Sequence, residues 1–101
     1  ADIEANGLVQ LNLTIRDNEF TNNDAATGRP IEITADDPNA TIRLDLNGNT
    51  AASGNAGDDY FLEQIQGTFN IVDEPNVDAN NTGVVNQTGT FGNDPGPVPT
   101  P

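Results

Sequence analysis

The chain has no cysteine, histidine, lysine, methionine or tryptophan, and its only cations are Arg16, Arg29 and Arg43. Each absence removes a class of chemistry. Without Cys and His, zinc, copper, haem and iron–sulfur centres lose their usual ligands. Triads that need a histidine base, thiol nucleophiles and Schiff-base lysines are excluded on the same grounds. Lysine-dependent isopeptide cross-links are excluded too. The single serine, Ser53, lies in a Gly/Ala/Asn stretch with no base beside it in sequence. No disulfide framework exists, so stability must come from packing and hydrogen bonding. No run approaches the length of a transmembrane helix, and no signal peptide is visible. Aromatics are sparse: Tyr60 and the four phenylalanines Phe20, Phe61, Phe69 and Phe91.

Acids dominate what is present. Sixteen Asp and Glu against three Arg give a formal charge of −13 and a pI near 4.1. Nucleic acid needs a basic footprint and anionic membranes repel such a surface, so neither is expected as a partner. Self-repulsion of this size is screened by salt, which suits a saline or cation-rich exterior.

The clearest pattern is at the start. Ala1, Ile3, Ala5, Gly7, Val9, Leu11, Leu13 and Ile15 are apolar or glycine, and the alternate positions are polar except Leu8. Period-2 alternation is the mark of a strand with one buried face. At about 3.3 Å per residue, 1–16 drawn straight would span roughly 50 Å, longer than the roughly 35 Å body of a domain this size. The strand must therefore bend, with Gly7 the natural place, or extend into a neighbouring molecule.

Further strands follow and no helical periodicity does. Ile31 and Ile33 form a short strand before the turn residues Asp36 to Asn39. Ile42, Leu44 and Leu46 alternate with Thr41, Arg43 and Asp45. Tyr60 to Val72 has the heaviest apolar density, with Gly67 marking a bulge or close packing site. A last strand runs from Val84 or Val85 to Phe91. Residues 92–101, GNDPGPVPTP, read as an extended, polyproline-like tail or linker. No internal repeat of fixed period is visible. Five to eight strands, long polar loops and no helix predict an all-β fold: a single antiparallel β-sandwich (Ig-like or jelly-roll-like) or barrel over 1–91, with 1–16 as a long N-terminal strand.

Two segments place oxygen side chains at alternate positions, Asp45, Asn47, Asn49 and Asp78, Asn80, Thr82. That spacing can turn several oxygens toward one hard cation such as Ca²⁺. Neither completes an EF-hand, because Ala56 and Gly89 stand where a bidentate Glu belongs. In a chain with fifteen asparagines, turn formation explains both segments more simply. A looser site from Asp36, Asp37, Asp58, Asp59, Asp73 and Glu74 would need those loops to converge. Within 40–62, Thr50-Ala51-x-x-Gly54 and Gly57-x-Asp59-Tyr60 resemble, with an offset of three residues, the loop of the Calx-beta module. That resemblance implies a Ca²⁺-binding β-sandwich of surface and adhesion proteins, and it assigns no ligands here.

Four N-x-T sequons, at Asn12, Asn39, Asn80 and Asn86, are glycosylation candidates compatible with an exterior surface. Glu63 and Asp73 near Tyr60 are the only arrangement reminiscent of paired-carboxylate glycoside hydrolysis. An acid on a strand is more simply its solvated face, so no enzyme and no cofactor is expected. Composition thus leaves association as the expected role. The expectation is a self-assembling structural subunit on an extracellular, cell or virion surface. It would associate with copies of itself by β-strand addition through Ile3, Ala5, Gly7, Val9, Leu11, Leu13 and Ile15. The alternative is a Ca²⁺-dependent adhesion module of a larger surface protein.

Overall fold

Strand pairing in the computed structural model is parallel at every ladder among the described residues, 2–7, 9–22, 29–53 and 58–98. The strands are β1 (Asp2–Ala5), β2 (Gln10–Arg16), β3 (Glu19–Asn22), β4 (Ile31–Asn47), β5 (Thr50–Ser53), β6 (Tyr60–Val72), β7 (Val85–Thr88) and β8 (Gly92–Asp94). One 3₁₀ turn, Glu74–Asn76, follows β6. Strands β1 and β2 both lie on β4, β4 lies on β6, and β6 carries β7 and β8 on its far side. A second, two-stranded sheet pairs β3 with β5, and Thr82 continues it by a bridge to Thr50.

The registers describe a coil. Asp2 pairs with Glu32 and Gln10 with Thr41, offsets of 30 and 31 residues. Ile31 pairs with Tyr60 and Leu44 with Ile71, offsets of 29 and 27. Tyr60 pairs with Val85 and Asn70 with Gly92, offsets of 25 and 22. Each turn of chain therefore stacks on the one before, and along this sheet the offsets shorten toward the C-terminus. The fold is a short parallel β-solenoid of three coils and a partial fourth.

This corrects the expected antiparallel sandwich or barrel, and with it the sandwich implied by the Calx-beta resemblance. Alternation reports one buried face, which a solenoid wall and a sandwich sheet share. Parallel pairing needs a crossover of a dozen or more residues, usually helical, and no helix is foreshadowed in the sequence. Here the crossover is the rest of the coil itself, built from the β3–β5 sheet and turns. A repeat is present after all, hidden because the spacing between stacked residues varies from 32 to 22.

Inside the coil, alternate residues stack in columns. Ile3, Ile33 and Leu62 form one, Leu11, Ile42 and Phe69 a second, and Leu13, Leu44 and Ile71 a third. The second-coil members Ile33, Ile42 and Leu44 are fully buried. Phe69 meets Phe91 edge-on, with ring centroids 5.0 Å apart.

The opening strand does bend. It breaks between Asn6 and Val9, where Gly7 has φ 91°, and both halves fit a body 34 Å long. The neighbouring coils turn the same corner at Asp36–Ala40, where the register shifts, and at Gly67. A Cβ on Gly67 would collide with the Asp37 carbonyl and lie 2.6 Å from that of Ala40, with φ already at 83°. Glycine is therefore required where two corners stack. Residues 92–94, expected to begin a free tail, form β8, and Val98 beyond them is buried.

Candidate association edge and the coil contacts behind it

Among the described residues, the first coil has coil neighbours on one side only. Its inward residues Ile3, Val9, Leu11, Leu13, Ile15 and Phe20 pack on the core but remain half-buried. Their counterparts one coil on, Ile33, Ala40, Ile42, Leu44, Leu46 and Ala51, are at most 5% exposed. Sequence type does not distinguish the two sets; the missing neighbour does. Ala5 alone of the first-coil row is buried. The outer faces of β1 and β2 carry Asp2, Glu4, Gln10, Asn12, Thr14 and Arg16, all exposed. All seven residues named for an assembly strand thus lie along this edge, with Gly7 at its corner, and β1 and β2 pair with β4 of the same chain.

Behind the edge, one corner is held by an asparagine ladder. Asn18, Asn49 and Asn81 follow successive strands at spacings of 31 and 32 residues. The Asn18 backbone N–H donates to Asn49 Oδ1 at 3.0 Å, and the Asn49 N–H donates to Asn81 Oδ1 at 3.1 Å. Asn49 Nδ2 donates to the Ile15 carbonyl and to Asn81 Oδ1, and Asn81 Nδ2 donates to the carbonyls of Leu46 and Val77. Asn49 is 1% exposed, so its polar atoms are satisfied within the protein. Sequence inspection missed this ladder, although a signal was there: DNEF at 17–20, GNTA at 48–51 and NNTG at 80–83.

The arginines bind coil to coil. Arg16 holds Asp45 at 2.8 Å, from the first coil to the second. Arg29 holds Glu32 at 3.0 Å and Asp58 at 3.2 Å, with its guanidinium 4.1 Å from the Phe61 ring centre. Arg43 forks onto Asp94 through Nε at 2.7 Å and Nη2 at 2.9 Å, from the second coil to the fourth. That guanidinium, aided by the Gly96 N–H and opposed by burial, holds the Asp94 carboxyl below its ordinary pKa.

Three of the residues expected as cation ligands, Asp45, Asn49 and Asn80, have side chains engaged in such contacts. Asp45 serves Arg16 and Asn49 serves the ladder. Asn80 Nδ2 donates to Asp73, while its carbonyl accepts from Gly48 N–H. Asn47 and the exposed Asp78 are bonded through their main-chain carbonyls, Asn47 to Asn49 Nδ2 and Asp17 N–H, and Asp78 to Asn81 N–H. Of the wider set, Asp36 takes Gln66, Asp37 takes Asn39 N–H, Asp58 takes Asn86 and Arg29, Asp59 takes Val84 N–H, and Glu74 takes Gln87. Asp73 accepts from Asn80 and Asn76, which lower its pKa. Among the described residues no group of three or more acids is placed to hold a metal ion.

Tyr60 is fully buried and donates its hydroxyl to the Thr82 carbonyl at 2.9 Å, so its ring offers no face to a sugar. Burial, then the nearby Asp59, pushes its pKa up to about 12. Of the sequons, Asn12 and Asn39 are exposed, whereas Asn80 and Asn86 are half-buried with their amides bound to Asp73 and Asp58.

The opposite end of the solenoid is built differently. Beneath Leu62 and Ile71 of the third coil stand Gln87 and Asn93. Gln87 donates to Glu74 Oε1 at 3.2 Å, and Asn93 Oδ1 accepts the Glu74 N–H at 3.0 Å. Among the described residues no helix is long and apolar enough to cross a membrane. In comparisons with protein-family models, curated proteins and solved structures, nothing matches the chain.

Proposed function

We propose that this chain is a structural association module that joins copies of itself by β-strand addition at the edge formed by β1, β2 and β3. One observation carries the reading: the apolar row that is buried in the second coil is left half-buried in the first. An added strand would complete that burial and satisfy the outward main-chain groups of the edge. Because β1 and β2 lie on their own chain's β4, the partner adds outside them and does not replace them. The charge of −13 and the four sequons support an exterior, salt-rich setting. The test is sedimentation velocity across protein concentration and salt. The expected result is a species heavier than the 10.6 kDa chain, more abundant as salt screens the acids. A monomer under every condition would remove the proposal.

A further inference from the structure

Resting on that reading, we infer that the partner is a second copy docked edge to edge about a twofold axis through the Val9 corner, giving a closed dimer. The opposite end of the solenoid is a poor complement for this edge. Head-to-tail stacking would set Gln87 and Asn93 beneath the apolar row, and both side chains are already bonded to the 3₁₀ turn. Strand β8 is only three residues long and runs into Pro95 and Pro97, which have no N–H to offer a ladder.

The edge is complementary to itself instead. Antiparallel pairing about Val9 sets β1 of one copy against β2 of the other. Ile15 then opposes Ile3, Leu13 opposes Ala5 and Thr14 opposes Glu4, so inward positions meet inward positions. Arg16 falls opposite Asp2 on both sides of the axis. Arg16 is half-exposed although it binds Asp45, and a guanidinium has donors enough for two carboxylates. It is the one cation of the edge, and this register places it on an acid twice. A twofold interface of this kind uses the same patch on both subunits and closes, so it does not propagate into a fibre.

The chain has no cysteine, which makes the axis directly testable. Val9→Cys places two thiols across the twofold, where opposed residues come within disulfide reach. The expected result is a disulfide-linked species of twice 10.6 kDa under mild oxidation, with Ile65→Cys on the exposed wall giving none. Light scattering of the unmodified chain should show a mass that stops at the dimer. Asp2→Arg, at an exposed position, should raise the dissociation constant about tenfold by facing Arg16 with a like charge. Mass that keeps growing with concentration, or a dimer that Val9→Cys does not link, overturns the twofold edge and leaves strand addition standing. A monomer throughout overturns both.

Discussion

The two ends of this solenoid start from one coil template and finish with opposite chemistry. At the N-terminal end, a seven-residue strand and its shorter neighbours present a half-buried apolar row. At the C-terminal end, the coil has shortened; Val85 and Phe91 still pack half-buried on the core, but the inward positions beneath Leu62 and Ile71 have become Gln87 and Asn93, tied to Glu74. Asp94, gripped by Arg43, and the buried Val98 bring residues 95–98 onto the wall. Terminal coils of a solenoid need a polar cap to stay soluble, and one end here has it. The contrast teaches that an open edge is read from burial relative to the next coil, because residue type alone looks the same in both.

The largest effects should come from substitutions that compare the first coil with the second. Leu44→Ala removes a fully buried side chain and should cost about 2–5 kcal/mol. Leu13→Ala, one coil earlier in the same column, should cost only about 1–2 kcal/mol in dilute protein, where half its burial is absent. Urea titrations at low and high protein concentration separate the two. The Leu13 loss should grow with association while the Leu44 loss holds steady; equal losses at every concentration would mean the first coil is no open end.

The ladder gives the same comparison in hydrogen bonds. Asn49→Ala leaves the buried Asn81 Oδ1 and Ile15 carbonyl short of donors and the Asn18 N–H short of an acceptor. The expected loss is about 2–4 kcal/mol. Asn18→Ala, at the exposed end, removes bonds to the Arg16 carbonyl and Asn49 and should cost about 1 kcal/mol. Chemical denaturation of both variants measures the difference.

The Arg43–Asp94 fork tests how firmly the other end is closed. Asp94 has a depressed pKa, so between its folded and unfolded values the unfolded chain binds more protons. Its stabilisation is fully present above the ordinary Asp value of about 3.9 and is lost as pH falls through the folded value. Protonating the other acids relieves repulsion over the same range, so wild-type melting alone mixes two effects. The informative quantity is the melting difference between wild type and Asp94→Asn. It should be constant above about pH 5 and shrink below about pH 4. A difference that does not change with pH would mean the fork does not hold the C-terminal end.

Local features were legible in the sequence and long-range ones were not. Alternation marked the buried faces of β2 and of Ile42, Leu44 and Leu46 correctly, because one-sided burial imposes period 2 in any sheet. Length left two readings of the opening strand, a bend at Gly7 or extension into a neighbour, and only the folded chain shows the bend. Within 60–72, Phe61 and Ile65 share the phase of Phe69 and Ile71, yet Tyr60 and Leu62 are the buried residues of the first half. The corner at Gly67 flips the phase, which no fixed period can describe. Strand direction escaped for a different reason: alternation carries no sign for parallel or antiparallel neighbours. The ladder escaped because Asn18, Asn49 and Asn81 sit among twelve other asparagines, and their equivalence appears only once the coils are stacked.

The smallest effect is invisible at neutral pH and reads the closed end from inside. Tyr60 lies between Ile31 and Val85, with its hydroxyl on Thr82, so the second coil and the cap together keep water from it. Its pKa near 12 exceeds the ordinary value of 10 through burial first and Asp59 second. Between those values the unfolded chain has lost the phenolic proton and the native chain keeps it. The unfolded state then binds fewer protons, so stability falls as pH rises through that window and is unaffected below it. Tyr60 is the only tyrosine and tryptophan is absent, so phenolate absorbance reports this one group. In native protein it should titrate close to 12. Titration near the ordinary value, with the fold intact, would mean the C-terminal cap opens, and the contrast between the two ends would collapse. Tyr60→Phe should flatten the alkaline loss of stability and leave dimer formation at the far edge unchanged.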